Sequence, residues 1–121
     1  PQITEGNEYM TLTMKPSSAT NKLKIDVVWF GGEGGGGGAI VALFRDAVAD
    51  ALATGFVRDS NTNIAIMVSF THWMTAGTIN PITFRVRAGP VSSVMTFNGV
   101  GNTAYFNGSY ASSITVTEIA S

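Results

Sequence analysis

Apolar and polar residues alternate with a period of two along most of the chain, in short runs that stop at Gly, Pro, Asn or Ser. That is the pattern of half-buried β-strands. Met10, Leu12 and Met14 share one face against Thr11 and Thr13 before Lys15-Pro16-Ser17-Ser18 ends the run. Leu23, Ile25, Val27 and Trp29 then line one side, with Lys22, Lys24 and Asp26 opposite, and the run stops at Gly31. Ile64, Ile66, Val68 and Phe70 alternate with Ala65, Met67, Ser69 and Thr71 in the longest clean strand, which continues through Trp73. Phe84, Val86 and Ala88 oppose Thr83, Arg85 and Arg87. Val94 to Asn98 and Ser112 to Ile119 complete the set, and Ala39 to Arg45 is a further apolar run of β character.

Between the runs lie turn signals. Asn61 to Asn63 is turn chemistry, and Asn98-Gly99 and Asn107-Gly108 are hairpin dipeptides. Gly31 to Gly38 holds seven glycines and Glu33 in eight residues, a composition that loses much entropy in regular structure and is expected to form a loop. Asp46 to Ala53 sends conflicting signals. Its helix propensity is high, but it spans only about two turns, carries like charges at Asp46 and Asp50 and is followed by Gly55, so strand or irregular edge is expected.

About eight evenly spaced strands predict an all-β domain: an antiparallel sandwich of two sheets, expected as a jelly roll with the first and last strands paired in one sheet. A Greek-key immunoglobulin-like order remains open at this level. The 121 residues suit one domain, 1–121. Only 12% of them are charged, about half the usual share, so Ser, Thr and Asn together with a subunit interface are expected to cover the surface. The net charge of −1, spread along the chain, provides no footprint for nucleic acid or an anionic membrane. No apolar run is long enough to span a bilayer, and the start has no signal-peptide pattern. The absence of cysteine rules out disulfides and thiolate chemistry and fits synthesis in a reducing cytoplasm.

Five segments resemble tailed-phage virion proteins, often the carboxy-terminal domains of tail fibres. They are Pro-Gln-Ile-Thr-Glu-Gly-Asn-Glu-Tyr (1–9), Leu-Phe-Arg-Asp (43–46), Thr-Phe-Arg-Val-Arg-Ala-Gly (83–89), Thr-Phe-Asn-Gly (96–99) and Ser-Ser-Ile-Thr-Val-Thr-Glu-Ile (112–119). The resemblance implies a trimeric jelly roll similar to the tumour necrosis factor and complement globular heads, at a fibre tip or on a capsid. Tyr105-Phe106-Asn107-Gly108-Ser109-Tyr110 is similar to the aromatic and glycine pattern near the end of those heads. The chain would be either the end of a longer fibre protein or a short free-standing one.

Catalytic chemistry is sparse. His72 is the sole histidine and is expected to be structural. The carboxylates Asp46, Asp50, Asp59, Glu5, Glu8, Glu33 and Glu118 suggest glycoside hydrolysis only weakly, because a small sandwich has no long groove. The glycine run lacks a Gly-Lys-Ser/Thr ending and so does not read as a phosphate loop. Asp46 and Asp50 could ligate Ca²⁺, though a solvated acidic edge is the preferred reading.

No enzyme activity, cofactor or metal is expected. Gly31, Gly32, Glu33, Gly34 and Gly35 form the candidate binding loop, where bare backbone could approach a glycan or protein. Arg45, Arg85, Arg87, Tyr105 and Tyr110 are candidate subunit-interface residues. Arg45 and Asp46 are strand neighbours that should point to opposite faces, so Arg45 is expected to pair elsewhere, with Glu118 as one choice. Tyr9, Trp29, Phe30, Phe70, Trp73, Phe84 and Phe97 read mostly as core, except that one of the consecutive Trp29 and Phe30 must point outward.

The expected function is a homotrimeric virion surface domain, the head of a tail fibre that attaches to a host-cell glycan or protein. The alternative is a capsid decoration protein that stabilises the phage head against other virion proteins.

Overall fold

The computed structural model of the chain describes residues 1–58, 63–90 and 94–121. The expected turn at Asn61–Thr62 and the carboxylate of Asp59 lie outside the described residues. Among the described residues ten strands follow in order: β1 (Asn7–Met14), β2 (Lys22–Glu33), β3 (Ala39–Arg45), β4 (Ala53–Val57), β5 (Ile64–Thr75), β6 (Ile82–Pro90), β7 (Met95–Phe97), β8 (Gly99–Val100), β9 (Thr103–Ala104) and β10 (Ser113–Ile119). A short 3₁₀ turn at Phe106–Gly108 precedes β10.

The first sheet has the order β1-β6-β3-β4 and the second β10-β2-β5; β7 also pairs with β2, and all pairings are antiparallel. The chain changes sheet at β1–β2, β2–β3, β4–β5, β5–β6 and β6–β7, which gives the sandwich its jelly-roll-like wrapping. The first and last strands are not partners, contrary to expectation. β1 pairs with β6 in one sheet and β10 with β2 in the other. The reason is the turn after β1, which carries the chain across to the second sheet and leaves β2 at its centre, with an edge open for the last strand.

The alternation read from the sequence is the alternation that packs. Leu23, Ile25, Val27 and Trp29 of β2 and Ile82, Phe84, Val86 and Ala88 of β6 are almost fully buried, and they meet across one core with Ala39, Val41 and Leu43 of β3 and Ile66 and Val68 of β5. Each such side chain contributes about 1.5–3 kcal/mol relative to exposure. A register shift between Glu8 and Met10 marks a bulge, and both Tyr9 and Met10 pack against the core. The Tyr9 ring sits 6.1 Å from Trp29 and 4.9 Å from Phe97.

Local details depart from the sequence reading in three places. Asp46 to Leu52 is irregular, as expected, but Gly55 lies inside β4 instead of ending an element. Asn98-Gly99 does not close a hairpin. Asn98 takes φ +58 and passes the chain from β7 into β8, while the β8–β9 hairpin closes at Gly101 and Asn102, both left-handed, as a two-residue turn between twisted strands requires. The glycine run, finally, is not all loop: its first three residues end β2, paired with Ile64, Ala65 and Ile66 of β5 on one side and with β7 on the other.

Candidate functional site

The glycine-rich segment, expected as a binding loop, is in its first half buried strand. Gly31, Gly32 and Glu33 are buried strand residues, Gly34 is half-buried, and of the five candidates only Gly35 is exposed. Side chains are excluded by close approach. A Cβ on Gly31 would lie 2.1 Å from the Trp29 ring and 2.5 Å from the Thr96 carbonyl oxygen. Gly38 has φ +104, and a Cβ there would meet the Val57 carbonyl oxygen at 1.9 Å. The fully buried Glu33 carboxylate accepts N–H bonds from Gly35 at 2.9 Å and Gly36 at 2.7 Å, so the turn wraps around its own acid. Gly31 and Gly38 let two pieces of backbone pack, and Gly34 lies at a groove of about 260 Å³ shared with Asn63, Val94, Thr96 and Asn102.

The arginines are also committed within the chain. Arg87 donates from Nε to the Glu5 carbonyl at 2.9 Å and from Nη2 to the Gly6 carbonyl at 2.7 Å. Arg85 donates to the Asp46 carbonyl at 3.1 Å and pairs with Glu8 at 3.3 Å. Arg45 pairs with Asp46 at 3.4 Å after all. The argument from alternating faces fails there because Asp46 has left the strand, with φ +51, and its side chain turns back. Glu118 is not an Arg45 partner either: its Oε1 accepts from Ser17 N–H at 2.7 Å, Asn21 Nδ2 at 2.9 Å and Ser17 Oγ at 3.0 Å. Those bonds, that of Asn21 foremost, hold the Glu118 carboxyl below its ordinary pKa.

The Arg87 bonds to the Glu5 and Gly6 carbonyls help hold the amino-terminal segment over the outer face of the first sheet. Ile3 N–H donates to the Ala49 carbonyl and Ala51 N–H to that of Pro1, and Gln2 bridges Asp50. Beneath it Ala42 and Phe44, on the outer side of β3, are buried as deeply as the core. A groove of about 370 Å³ remains beside them, between Pro1, Glu5, Ile40 and Pro90.

His72 is half-buried on the inward side of β5. Asp46 accepts the Thr83 N–H at 2.9 Å and Asp50 the Gln2 amide at 2.5 Å. No group of three His, Asp or Glu side chains suited to a metal forms among the described residues.

What does assemble is aromatic. Tyr110 lies 4.8 Å from Phe30, with Tyr105 at 6.2 Å and Phe106 at 6.3 Å from Tyr110. Phe30 is the outward member of the Trp29–Phe30 pair, half-buried under Tyr110, whereas Trp29 is fully buried. The Tyr110 hydroxyl is 3.1 Å from the carbonyl oxygens of both Gly31 and Ile66 and can donate to either; burial raises its pKa above the ordinary phenol value. Phe106 is 72% exposed and, with Asn107 and Gly108, adopts left-handed backbone, a conformation that is strained for a bulky residue. Between Arg87 and Glu118 the chain has no charged side chain. A protruding aromatic turn in a charge-free stretch has the composition of an interface core. The sequence carries that signal as a gap in charge, which strand reading passes over.

The aromatic cluster adjoins an open sheet face. On the outer side of the second sheet three cross-strand rows run Thr117–Lys24–Trp73, Thr115–Asp26–Thr71 and Ser113–Val28–Ser69, and Met67 lies beside Phe30. Trp73, read from the sequence as core, is 54% exposed here and Met67 is 53% exposed. Its core reading does not follow from the alternation, which places Trp73 on the side of Met67, Ser69 and Thr71.

No protein-family model matches the chain, and no curated protein is detectably similar to it.

Proposed function

We propose that this chain is a non-enzymatic surface domain of a tailed-phage virion, a homotrimeric head that attaches the particle to its host. The observation that carries the assembly is the Tyr105–Phe106–Tyr110 cluster: a strained, exposed aromatic turn gains little for an isolated chain and a good deal when a second copy covers it. The virion setting rests on the resemblance of the five segments named above, and the low charge content of the chain agrees with a surface partly given over to neighbours. Tyr105 and Tyr110 remain interface candidates. Arg45, Arg85 and Arg87 drop out, because their hydrogen bonds serve the chain's own fold.

Light scattering on the purified chain at micromolar concentration should report three copies, and Phe106→Ser should reduce that to one. A wild-type monomer would sink the trimer. Copy number per particle separates the attachment head, present at a few sites, from a decoration protein present in hundreds of copies.

A further inference from the structure

We propose that the outer face of the second sheet is a saccharide-binding strip, with Trp73 as its stacking platform and the Asp26–Thr71–Thr115 row as its hydrogen-bonding centre. This rests on the attachment reading above and names the chemical class of the receptor: an uncharged glycan chain.

The strip runs along β2 from Lys24 to Phe30, about 20 Å at the usual strand rise, and is three strands wide. Its two ends are aromatic, Trp73 at one and Phe30 with Tyr110 at the other. Its middle is not apolar. Thr71 donates to Asp26 at 2.5 Å, leaving the second Asp26 oxygen 3.7 Å from Lys24 Nζ, and Ser69, Ser113, Thr115 and Thr117 add exposed hydroxyls.

This composition selects among occupants. A dry protein interface would bury those hydroxyls and the Asp26 carboxylate without supplying a partner for each, which is costly. A pyranose chain brings a donor and an acceptor at every hydroxyl, and it carries apolar C–H faces that stack on an indole. At the hydrogen-bonding centre Lys24 balances Asp26, and Lys22, one row beyond Trp73, donates from its ammonium to Thr75 Oγ1 at 2.8 Å. Lys24 Nζ lies 5.8 Å from the Trp73 ring centre and steadies the indole. The paired strands keep these groups in fixed register without a loop having to close.

The test uses the purified wild-type chain on a printed array of neutral and acidic bacterial oligosaccharides and polysaccharides. Hits are then followed in solution by tryptophan fluorescence. Trp29 is fully buried, so acrylamide quenching reaches Trp73 selectively, and a bound glycan should shield it. Retention on neutral glycans is expected, with a loss of at least tenfold in Trp73→Ala, a smaller loss in Thr71→Ala, and partial retention in Trp73→Phe. No retention on any printed glycan, binding confined to acidic glycans, or binding that Trp73→Ala leaves intact would overturn the proposal. Light scattering of the same samples keeps the two readings apart. A trimer that binds no glycan defeats this inference alone, whereas a monomer that binds through Trp73 defeats only the trimer.

Discussion

The outer faces of the two sheets differ over their inner strands, although all the strands alternate in the same way: β3 is covered and β2 is open, while Phe56 on the first sheet's edge strand β4 is 55% exposed. On the first sheet Phe44 of β3 is fully buried, because residues 1–6 and the Asp46–Leu52 segment fold over it and Arg87 clasps two of the covering carbonyls. On the second sheet Trp73 of β5, larger and equally apolar, stands half in solvent above a row of hydroxyls. An antiparallel sheet can leave one face wet, and here each face is decided by whether irregular chain happens to cross it. Burial of a strand residue on an outer face is therefore a property of its cover, and the covered face is the structural one.

Substitutions can break this contrast, and the largest effect is expected at Phe44. If its cover is as well packed as the core, Phe44→Ala should cost about 3–5 kcal/mol in denaturant unfolding, as much as Phe84→Ala on the inner side. A loss below about 1 kcal/mol would show that the amino-terminal segment is only a loose flap. Next comes the clasp. Arg87→Ala removes two charge-assisted bonds to the Glu5 and Gly6 carbonyls, and a loss of about 1.5–3 kcal/mol is expected, with faster hydrogen exchange at Ile3 and Ala51 than in β2.

The second sheet offers a smaller effect that depends on pH. Glu118 is held below its ordinary pKa by Asn21 and Ser17, so it binds protons less readily when folded than when unfolded. The stability it contributes is complete above the unfolded value, about 4.3 for a free glutamate, and is lost as pH falls through the lower folded value. Thermal scans between neutral and acid pH should show this decline in the wild type, and Glu118→Gln should flatten it. The smallest change is expected on the open face, where Trp73→Ala should shift stability by no more than about 0.5 kcal/mol. A loss comparable to that of Phe44→Ala would mean that the indole is packed after all.

Much of the architecture was legible in the order of residues. The facing of β2 and β6 follows directly from the alternation of Leu23 to Trp29 and of Phe84 to Ala88, because neighbouring strand side chains must point to opposite sides. The candidate site was far less legible. The glycine run looked like an exposed loop because glycine disfavours regular structure; a sequence does not show that the Trp29 ring and the Thr96 carbonyl would occupy the space of a Cβ at Gly31. Arg45 looked unable to reach Asp46 because the strand was assumed to continue, and a single positive φ reversed that.

The order of residues was enough for the longer strands, their inward faces and the all-β class, because period-two burial is a local consequence of backbone geometry, but not for β4 or the short β8–β9 hairpin. Folding at long range set which strands pair, which outer face is covered, and where Tyr110, with Tyr105 and Phe106 beside it, meets Phe30. Those outcomes depend on contacts between residues far apart in the chain, such as Arg87 with Glu5 and Tyr110 with Gly31, and no local pattern encodes them.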